Sequence, residues 1–246
     1  MREDKDFIFG IRAVIEAIKS GKQIDKLMIR SGLKGELFFE LIELVKDLQI
    51  PMQYVPNERI NRITRKNHQG VLAFISPIEF QQIENILPTI FEEGRTPLIV
   101  ILDKVSDVRN FGAITRTAEC AGVDAIIIPE KGSARISGDA VKTSAGALHK
   151  IPVCRVKSLS NTIKFLKDSG IQIIAATEKA ENFYYQTDFT IPTAILMGAE
   201  DRGVAIEYLK VADQMVKIPI LGEIESLNVS VASSILMYEA VKQRLN

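Results

Sequence analysis

The sequence is poor in the residues that mark metal-binding or disulfide-linked proteins. Two cysteines, Cys120 and Cys154, occur in 246 residues and form no CxxC pair, so neither a disulfide framework nor a zinc site is indicated. The two histidines, His68 and His149, belong to no HExxH pattern. Because no metal motif is present, we expect a protein that binds no metal.

Long apolar runs and an excess of one charge are also missing. No apolar run approaches the roughly 18 residues that a membrane span needs, and the charged start Met1–Asp6 has no apolar core of the kind that signal peptides carry. We therefore expect a soluble, cytoplasmic protein without a membrane partner. Lys and Arg together number 31, as do Asp and Glu, so binding to a nucleic acid would depend on local basic patches.

Residues 1–76 predict a small α/β unit. Amphipathic helices are indicated at 10–20 and 36–48, with a short helix at 57–64, and strands at 26–30, 53–55 and 71–76. Residues 77–96 contain two prolines, and an amphipathic helix could run between them. The segment ends at the sequence Gly-Arg-Thr-Pro. Since that sequence is typical of a connection, we interpret 77–96 as a linker.

Residues 97–246 predict a second α/β domain built on a parallel sheet. Strongly apolar strands at 98–102, 125–128, 171–176 and 193–197 alternate with helical patterns at 110–121, 138–144, 159–167 and 205–211, as in sheets covered on both faces. Domains of this type often bind nucleotides, yet GxGxxG and Walker A sequences are absent. A nucleotide-like ligand would have to bind by another route.

Three polar segments could carry chemistry. In the first, Asn110 is predicted to cap a helix in which Arg116 either covers apolar surface with its stem or meets a ligand. The second, 197–204, is either an ordinary polar turn or a ligand loop in which Gly198 lets backbone approach closely. In the third, a strand-like run at 218–221 leads through a loop to Ser226-Leu227-Asn228, where helix capping alone would explain the polar residues.

Together the three segments resemble the motifs of the SpoU/TrmH family of RNA ribose 2′-O-methyltransferases, in the SPOUT superfamily. The matching patterns are Asn110-x-Gly112-x-x-x-Arg116-x-Ala118, Met197-Gly198-x-Glu200-x-x-Gly203 and Ser226-Leu227-Asn228-Val229-Ser230-Val231-Ala232. Residues 97–246 are similar to the catalytic domain. Residues 1–76, with Gly10-x-x-x-Val14-x-Glu16-Ala17 and Asn67-His68-Gln69-Gly70-Val71, resemble the ribosomal-protein-like RNA-binding domain often fused ahead of it.

The resemblance implies a deep trefoil knot in the C-terminal domain and S-adenosylmethionine as the cofactor. Knots are exceptional, and composition alone does not predict one. The cofactor would lie among apolar walls and backbone groups, which suits the missing phosphate motif. The expected cofactor contacts are Met197, Gly198, Ile218, Ile220 and Leu227.

The implied reaction is methyl transfer to a ribose 2′-hydroxyl. The family's motif arginine falls on Arg116; since guanidinium remains protonated, we favour charge stabilisation over a role as base, though a base role stays open within the family picture. Asn110, Glu200, Ser226 and Asn228 would position Arg116 and the ribose. The family commonly has Gly where this sequence has Asp201, which raises the question of a positive φ there.

Two further expectations concern partners. RNA contacts are expected from Arg59, Arg62, Arg65 and Lys66, which could otherwise form a solvated helix face, and from Arg109 and Lys142, the latter in a second basic cluster. Similar enzymes form homodimers through the last helix and the motif-one helix, and we expect the same here. The resemblance favours a guanosine of 23S rRNA as target; the alternatives are a tRNA ribose, or a non-catalytic RNA-binding or ribosome-assembly role.

Overall fold

The computed structural model describes residues 7–245. The charged start considered above for targeting lies outside the described residues. Within 7–245, no helix is both long and apolar enough to cross a membrane. Packing divides the chain into two units, one extending to Glu79 and including Ile136–Gly138, the other comprising Phe80–Arg135 and the chain from Asp139 onward.

Among its described residues, the first unit is a four-stranded sheet with three helices. Its sheet has the order β1-β4-β2-β3, in which β4 is antiparallel to both β1 and β2, while β2 and β3 are parallel. The elements are β1 (Phe7–Phe9), α1 (Ile11–Lys19), β2 (Ile24–Arg30), α2 (Glu36–Asp47), β3 (Met52–Val55), α3 (Asn57–Asn61) and β4 (Val71–Ile75).

The two faces of this sheet are covered differently. Helices α1 and α2 bury an aliphatic cluster that includes Val14, Leu41 and Val45, as their apolar periodicity predicts. A smaller cluster, with Ile60 of α3 and Leu72 of β4, contains Met28, Val55 and Phe74. Helix α3 is shorter than the sequence indicates, ending at Asn61, and a turn continues to Thr64. Arg65 and Lys66 therefore lie in the following loop.

The second unit begins with helix α4 (Ile83–Glu92), within the segment predicted to be a linker. Ile83, Leu87 and Ile90 of this helix are buried. Ile83 and Leu87 belong to the main core cluster of the second unit, so this part of the segment is packed structure.

A seven-stranded, all-parallel sheet forms the centre of the second unit, in the order β7-β6-β5-β10-β8-β11-β9. Strands β5 and β10 are buried along their whole length, which explains their apolar sequences. The strands are β5 (Leu98–Asp103), β6 (Ala125–Pro129), β7 (Val153–Val156), β8 (Gln172–Ala176), β9 (Asn182–Phe183), β10 (Thr193–Gly198) and β11 (Gln214–Lys217).

Two helices of the second unit position the site, α5 (Val108–Cys120) between β5 and β6 and α9 (Val229–Leu245) after the last strand. Helix α5 packs against α9, where Ser234 Oγ donates to Thr117 Oγ1 at 3.2 Å. The helices of the unit after α4 are α5 (Val108–Cys120), α6 (Gly138–Thr143), α7 (Leu159–Asp168), α8 (Ile206–Leu209) and α9 (Val229–Leu245), with short 3-10 turns at Ala147–His149 and Tyr184–Gln186.

Two local predictions are wrong. The N-cap of α5 is Asp107, whose carboxylate accepts hydrogen bonds from the backbone N–H groups of Arg109 and Asn110; Asn110 lies inside the helix, because a good cap stands three residues earlier. The run at 218–221 is a loop, since strand β11 ends at Lys217. Pro219 within that run has no N–H for a strand ladder.

Candidate active site

A cavity of about 490 Å³ opens beside the carboxyl ends of strands β8, β10 and β11. In parallel α/β sheets this is the edge at which ligands bind. All five predicted cofactor contacts line the cavity, and so do Glu200 and Ser226. Val216, Val229 and Ala232 add apolar surface, while Glu178, Lys179 and Lys217 add charge. The cavity can therefore accept a ligand with both an apolar and a charged end.

Gly198 allows the loop after β10 to fold back on itself. A Cβ at this position would lie 1.9 Å from the carbonyl carbon of Gly203 and 2.1 Å from the nitrogen of Val204, so no other residue fits without moving the loop. The positive φ of this loop belongs to Gly203, at 66°, and Asp201 is not among the residues with positive φ. The departure from the family pattern at Asp201 therefore introduces no backbone strain.

Three polar side chains form a closed hydrogen-bonded ring beside the cavity. Asn228 Nδ2 donates to Glu200 Oε1 at 2.6 Å and to Asn110 Oδ1 at 3.0 Å. Asn110 Nδ2 donates to Glu200 Oε2 at 3.1 Å. Both carboxylate oxygens accept, which fixes the orientation of both amides. The structure thus brings together one residue from each of the three motifs.

Asn228 also caps helix α9. Its Oδ1 accepts from the backbone N–H of Ser230 at 2.9 Å and from Ser230 Oγ at 2.6 Å, as an N-cap side chain does. The capping interpretation is therefore confirmed, and the same amide also takes part in the ring, because Oδ1 serves the cap while Nδ2 donates to Glu200 and Asn110. Ser230, which was not predicted as a site residue, holds Asn228 in the flip that the ring requires.

Asp103 is a second residue that the sequence reasoning missed. It ends β5 opposite Gly198 and is buried, and its Oδ2 accepts from the backbone N–H of Ala205 at 3.0 Å. Its Oδ1 is buried without a hydrogen-bond partner among the described residues. Burial raises the pKa of Tyr208, and the nearby charge of Asp103 raises it further. The sequence feature that could have pointed to Asp103 is its place as the one acidic residue at the end of an otherwise apolar strand.

Arg116 lies outside the ring. It is exposed on α5 and forms no hydrogen bond or ion pair within residues 7–245. Six positions separate it from Asn110, which at 3.6 residues per turn places the two about 120° apart around the helix. The guanidinium is thus available to a ligand or a second molecule, and the chain's own side chains do not anchor it.

The predicted RNA-binding residues are all exposed. Arg59 lies in α3, Arg62 caps its C-terminus, and Arg65 and Lys66 follow in the loop. In the second unit Arg109 lies in the first turn of α5 and Lys142 in α6. Within the described part of the chain no ion pair involves any of these six cations, so their charges are available to an anion.

Metal ligation has no visible basis in the described part of the chain, where no three His, Cys, Asp or Glu side chains cluster suitably. Both cysteines are free: Cys120 is exposed and Cys154 buried. Burial, with a smaller contribution from Glu84, raises the pKa of the Cys154 thiol to about 12, so this cysteine stays protonated and unreactive.

Two protein-family models match the chain. Residues 97–238 match the SpoU rRNA Methylase family. Residues 7–81 match the family described as RNA 2′-O ribose methyltransferase substrate binding. Together the two matches cover most of the sequence, and the first alone covers more than half of it.

Similar proteins include both rRNA and tRNA enzymes. A Bacillus subtilis protein, YacO, assigned to the TrmH family of tRNA/rRNA methyltransferases, is 33% identical over 99% of this chain and 98% of its own. The AdoMet-bound rRNA methyltransferase from Sinorhizobium meliloti is 26% identical, with a TM-score of 0.63 over 98% of this chain and 88% of that one. The A. aeolicus TrmH/SpoU tRNA modifying enzyme is 32% identical, with a TM-score of 0.57 over 61% and 77%.

Proposed function

The chain belongs to the SpoU rRNA Methylase family, and from that premise we propose that it transfers a methyl group from S-adenosylmethionine to a ribose 2′-hydroxyl of structured RNA. The observation that carries the proposal is the ring of Asn110, Glu200 and Asn228 beside the cavity. A protein that only binds RNA has no need of three motif residues held in one fixed arrangement, which disfavours the non-catalytic alternative.

The cavity suits S-adenosylmethionine. Met197, Ile218, Ile220 and Leu227 offer apolar surface for an adenine, and backbone groups around Gly198 approach closely because no side chain intervenes. The cofactor carries no phosphate, which agrees with a site that has no glycine-rich phosphate loop. When bound there, it would supply a methyl group activated by a sulfonium.

The chain's own residues would orient the RNA and stabilise charge. Arg116 is proposed to hold the phosphate next to the target ribose and to stabilise negative charge forming on the 2′-oxygen. The ring formed by Asn110, Glu200 and Asn228 provides fixed polar groups toward the ribose, with Ser226 at the cavity edge. This pre-organisation removes the cost of ordering these groups during reaction.

The proposed target is a guanosine of 23S rRNA, with a tRNA ribose as the alternative. The rRNA methyltransferase from Sinorhizobium meliloti aligns along nearly the whole chain, whereas the A. aeolicus tRNA modifying enzyme aligns over 61% of it. An RNA-binding unit at 1–76 joined by 77–96 to a knotted catalytic domain at 97–246 is the arrangement we propose for this substrate.

The test is transfer of labelled methyl from S-adenosylmethionine to unmodified 23S rRNA and, separately, to unmodified tRNA. We expect incorporation into 23S rRNA only, absent in Arg116→Ala. Incorporation into tRNA only would keep the enzyme class and replace the substrate. If the protein does not bind S-adenosylmethionine and transfers no methyl group to either RNA, the proposal is contradicted.

We further propose that two copies pair through α5 and α9. Val231 and Tyr238 on α9 remain 48% and 49% exposed in the single chain, although large apolar side chains along one helix normally find a covering surface. Light scattering should show a dimer that Tyr238→Glu dissociates. Tyr54→Glu, at a tyrosine 50% exposed in the first unit, is the matched control and should remain dimeric; a monomeric wild type would contradict the pairing.

A further inference from the structure

The first unit contains a small polar cavity in which Lys66, a predicted RNA-binding residue, lies beside residues that were not predicted to contact RNA. Its volume is about 300 Å³, and it lies where β2 ends and β4 begins. Arg30 and Lys66 supply cationic groups to its wall, and Asn57, Asn67 and Gln69 supply amides. None of the described residues lining it is acidic, so the cavity has the composition of an anion site.

The loop at the base of this cavity is held by specific hydrogen bonds. The backbone N–H of Gly70 donates to His68 Nδ1 at 3.0 Å, which places the proton of a neutral imidazole on Nε2. That Nε2 then donates to Asn61 Oδ1 at 2.8 Å. Gln69 Oε1 accepts from the backbone N–H of Ile11 at 3.2 Å. Its amide nitrogen therefore points away from that contact and has no hydrogen-bond partner among residues 7–245.

Arg30 has its position set by Gly70. A Cβ on Gly70 would lie 3.0 Å from Arg30 Cβ and 3.3 Å from Arg30 Nε, so the arginine side chain packs directly over the glycine. Within the described residues neither Arg30 nor Lys66 forms an ion pair. Two unneutralised cations therefore flank a rigid loop that also presents amide donors.

We propose that this cavity binds a backbone phosphate of the RNA substrate through Arg30, Lys66 and the amide of Gln69. A phosphodiester has the charge and acceptor oxygens to match these donors, and a side-chain fork such as that of arginine suits it geometrically. Contacts of this kind fix the register of an RNA without reading its sequence. The inference rests on the proposed function only in taking RNA as the partner.

The first test substitutes two cavity residues and two matched controls. Gln69→Glu preserves the oxygen that accepts from Ile11 and places a negative charge in the cavity. Gln49→Glu makes the same change at another exposed glutamine with nearly the same backbone, φ being 52° at Gln69 and 53° at Gln49. Lys66→Gln is matched by Lys46→Gln, at an exposed lysine in the last turn of α2.

Affinity for unmodified 23S rRNA is measured by filter binding over a range of salt concentrations, without cofactor. We expect severalfold weaker binding for Gln69→Glu and Lys66→Gln than for their controls. For Lys66→Gln the slope of log affinity against log salt should fall by about 0.7–0.9, the value for one lost phosphate contact. Equal affinities in the cavity variants and the controls would overturn the proposal.

A second arm separates phosphate recognition from general attraction of anions. At matched ionic strength, inorganic phosphate should displace RNA from the wild type more effectively than chloride, and this difference should shrink in Lys66→Gln. Equal displacement by the two anions contradicts a phosphate site. S-adenosylmethionine affinity, measured in parallel, should be unchanged in all four variants. If the protein binds neither 23S rRNA nor tRNA, both this inference and the proposed function are contradicted. If it binds RNA, but the cavity variants have the same RNA affinity as their controls, only the phosphate site is contradicted.

Discussion

The two units arrange their polar side chains in opposite ways. Beside the cavity of the second unit, Asn110, Glu200 and Asn228 satisfy one another's hydrogen-bonding groups. In the first unit, Arg59, Arg62 and Arg65 are exposed and have no ionic partner among the described residues. A reacting group needs a fixed geometry, whereas attraction of an RNA backbone needs charge that no internal partner neutralises.

Arg116 joins these two patterns, since it belongs to a catalytic motif yet has the exposure of the RNA-binding cations. Replacing Arg116 with Ala should lower turnover by about 100-fold or more, the loss typical for a group that stabilises transition-state charge, and leave S-adenosylmethionine affinity unchanged. Single-turnover transfer assays measure this. Lys164→Ala, at an exposed lysine on α7, is the control, and equal activity of the two variants would remove Arg116 from the mechanism.

The hydrogen-bonded ring should be nearly as sensitive. Asn228→Asp exchanges the Nδ2 donor for a carboxylate facing Glu200, so two hydrogen bonds are lost and two like charges meet. We expect turnover to fall by roughly 10- to 100-fold, corresponding to about 1.4–2.7 kcal/mol. Helix α9 keeps its cap, because Asp also caps well. Asn85→Asp, at an exposed position of α4, should leave turnover unchanged; a drop of equal size there would contradict a specific role for the ring.

Gly198 tests whether the cavity wall depends on backbone approach. Gly198→Ala forces the loop at Gly203 and Val204 to move, and we expect cofactor affinity to fall by about tenfold and the free energy of unfolding by about 1–3 kcal/mol, as for other overpacked positions. Gly222→Ala is the matched control, since a Cβ there meets nothing within 4 Å. Calorimetric titration and denaturant unfolding give both quantities. If the two alanine variants bind the cofactor equally well, the close approach is irrelevant to binding.

The cationic surface of the first unit should give the smallest effect for each residue changed. Arg62 and Arg65 line a shallow depression with Glu58 and Asn61. Reversing both charges to Glu should weaken 23S rRNA binding several-fold at low salt and progressively less as salt rises, with S-adenosylmethionine affinity unchanged. RNA affinity identical to that of the wild type would leave this surface without a role.

Sequence patterns predict four strands of the second unit, β5, β6, β8 and β10, because these strands are largely buried and therefore continuously apolar. They do not predict β7 and β11, which are short and partly exposed. Strand β9, with only Asn182 and Phe183, has no such signal. The three motifs predict that Asn110, Glu200 and Asn228 lie together, whereas Arg116, which the same motifs place with them, lies outside their ring. The sequence does not predict how these side chains are oriented toward one another. Asn228 can cap α9 and also donate to Glu200 and Asn110 only because α9 begins beside Glu200. Arg30 was missed because no local pattern brings the end of β2 next to Gly70.

The most direct test of the central claim is mass spectrometry of nucleosides from 23S rRNA treated with this protein and S-adenosylmethionine. The account predicts a single new nucleoside carrying its methyl group on the ribose 2′-oxygen, absent from the Arg116→Ala reaction and present with Lys164→Ala. Methylation on a base, or a ribose methyl formed equally well without Arg116, would contradict it.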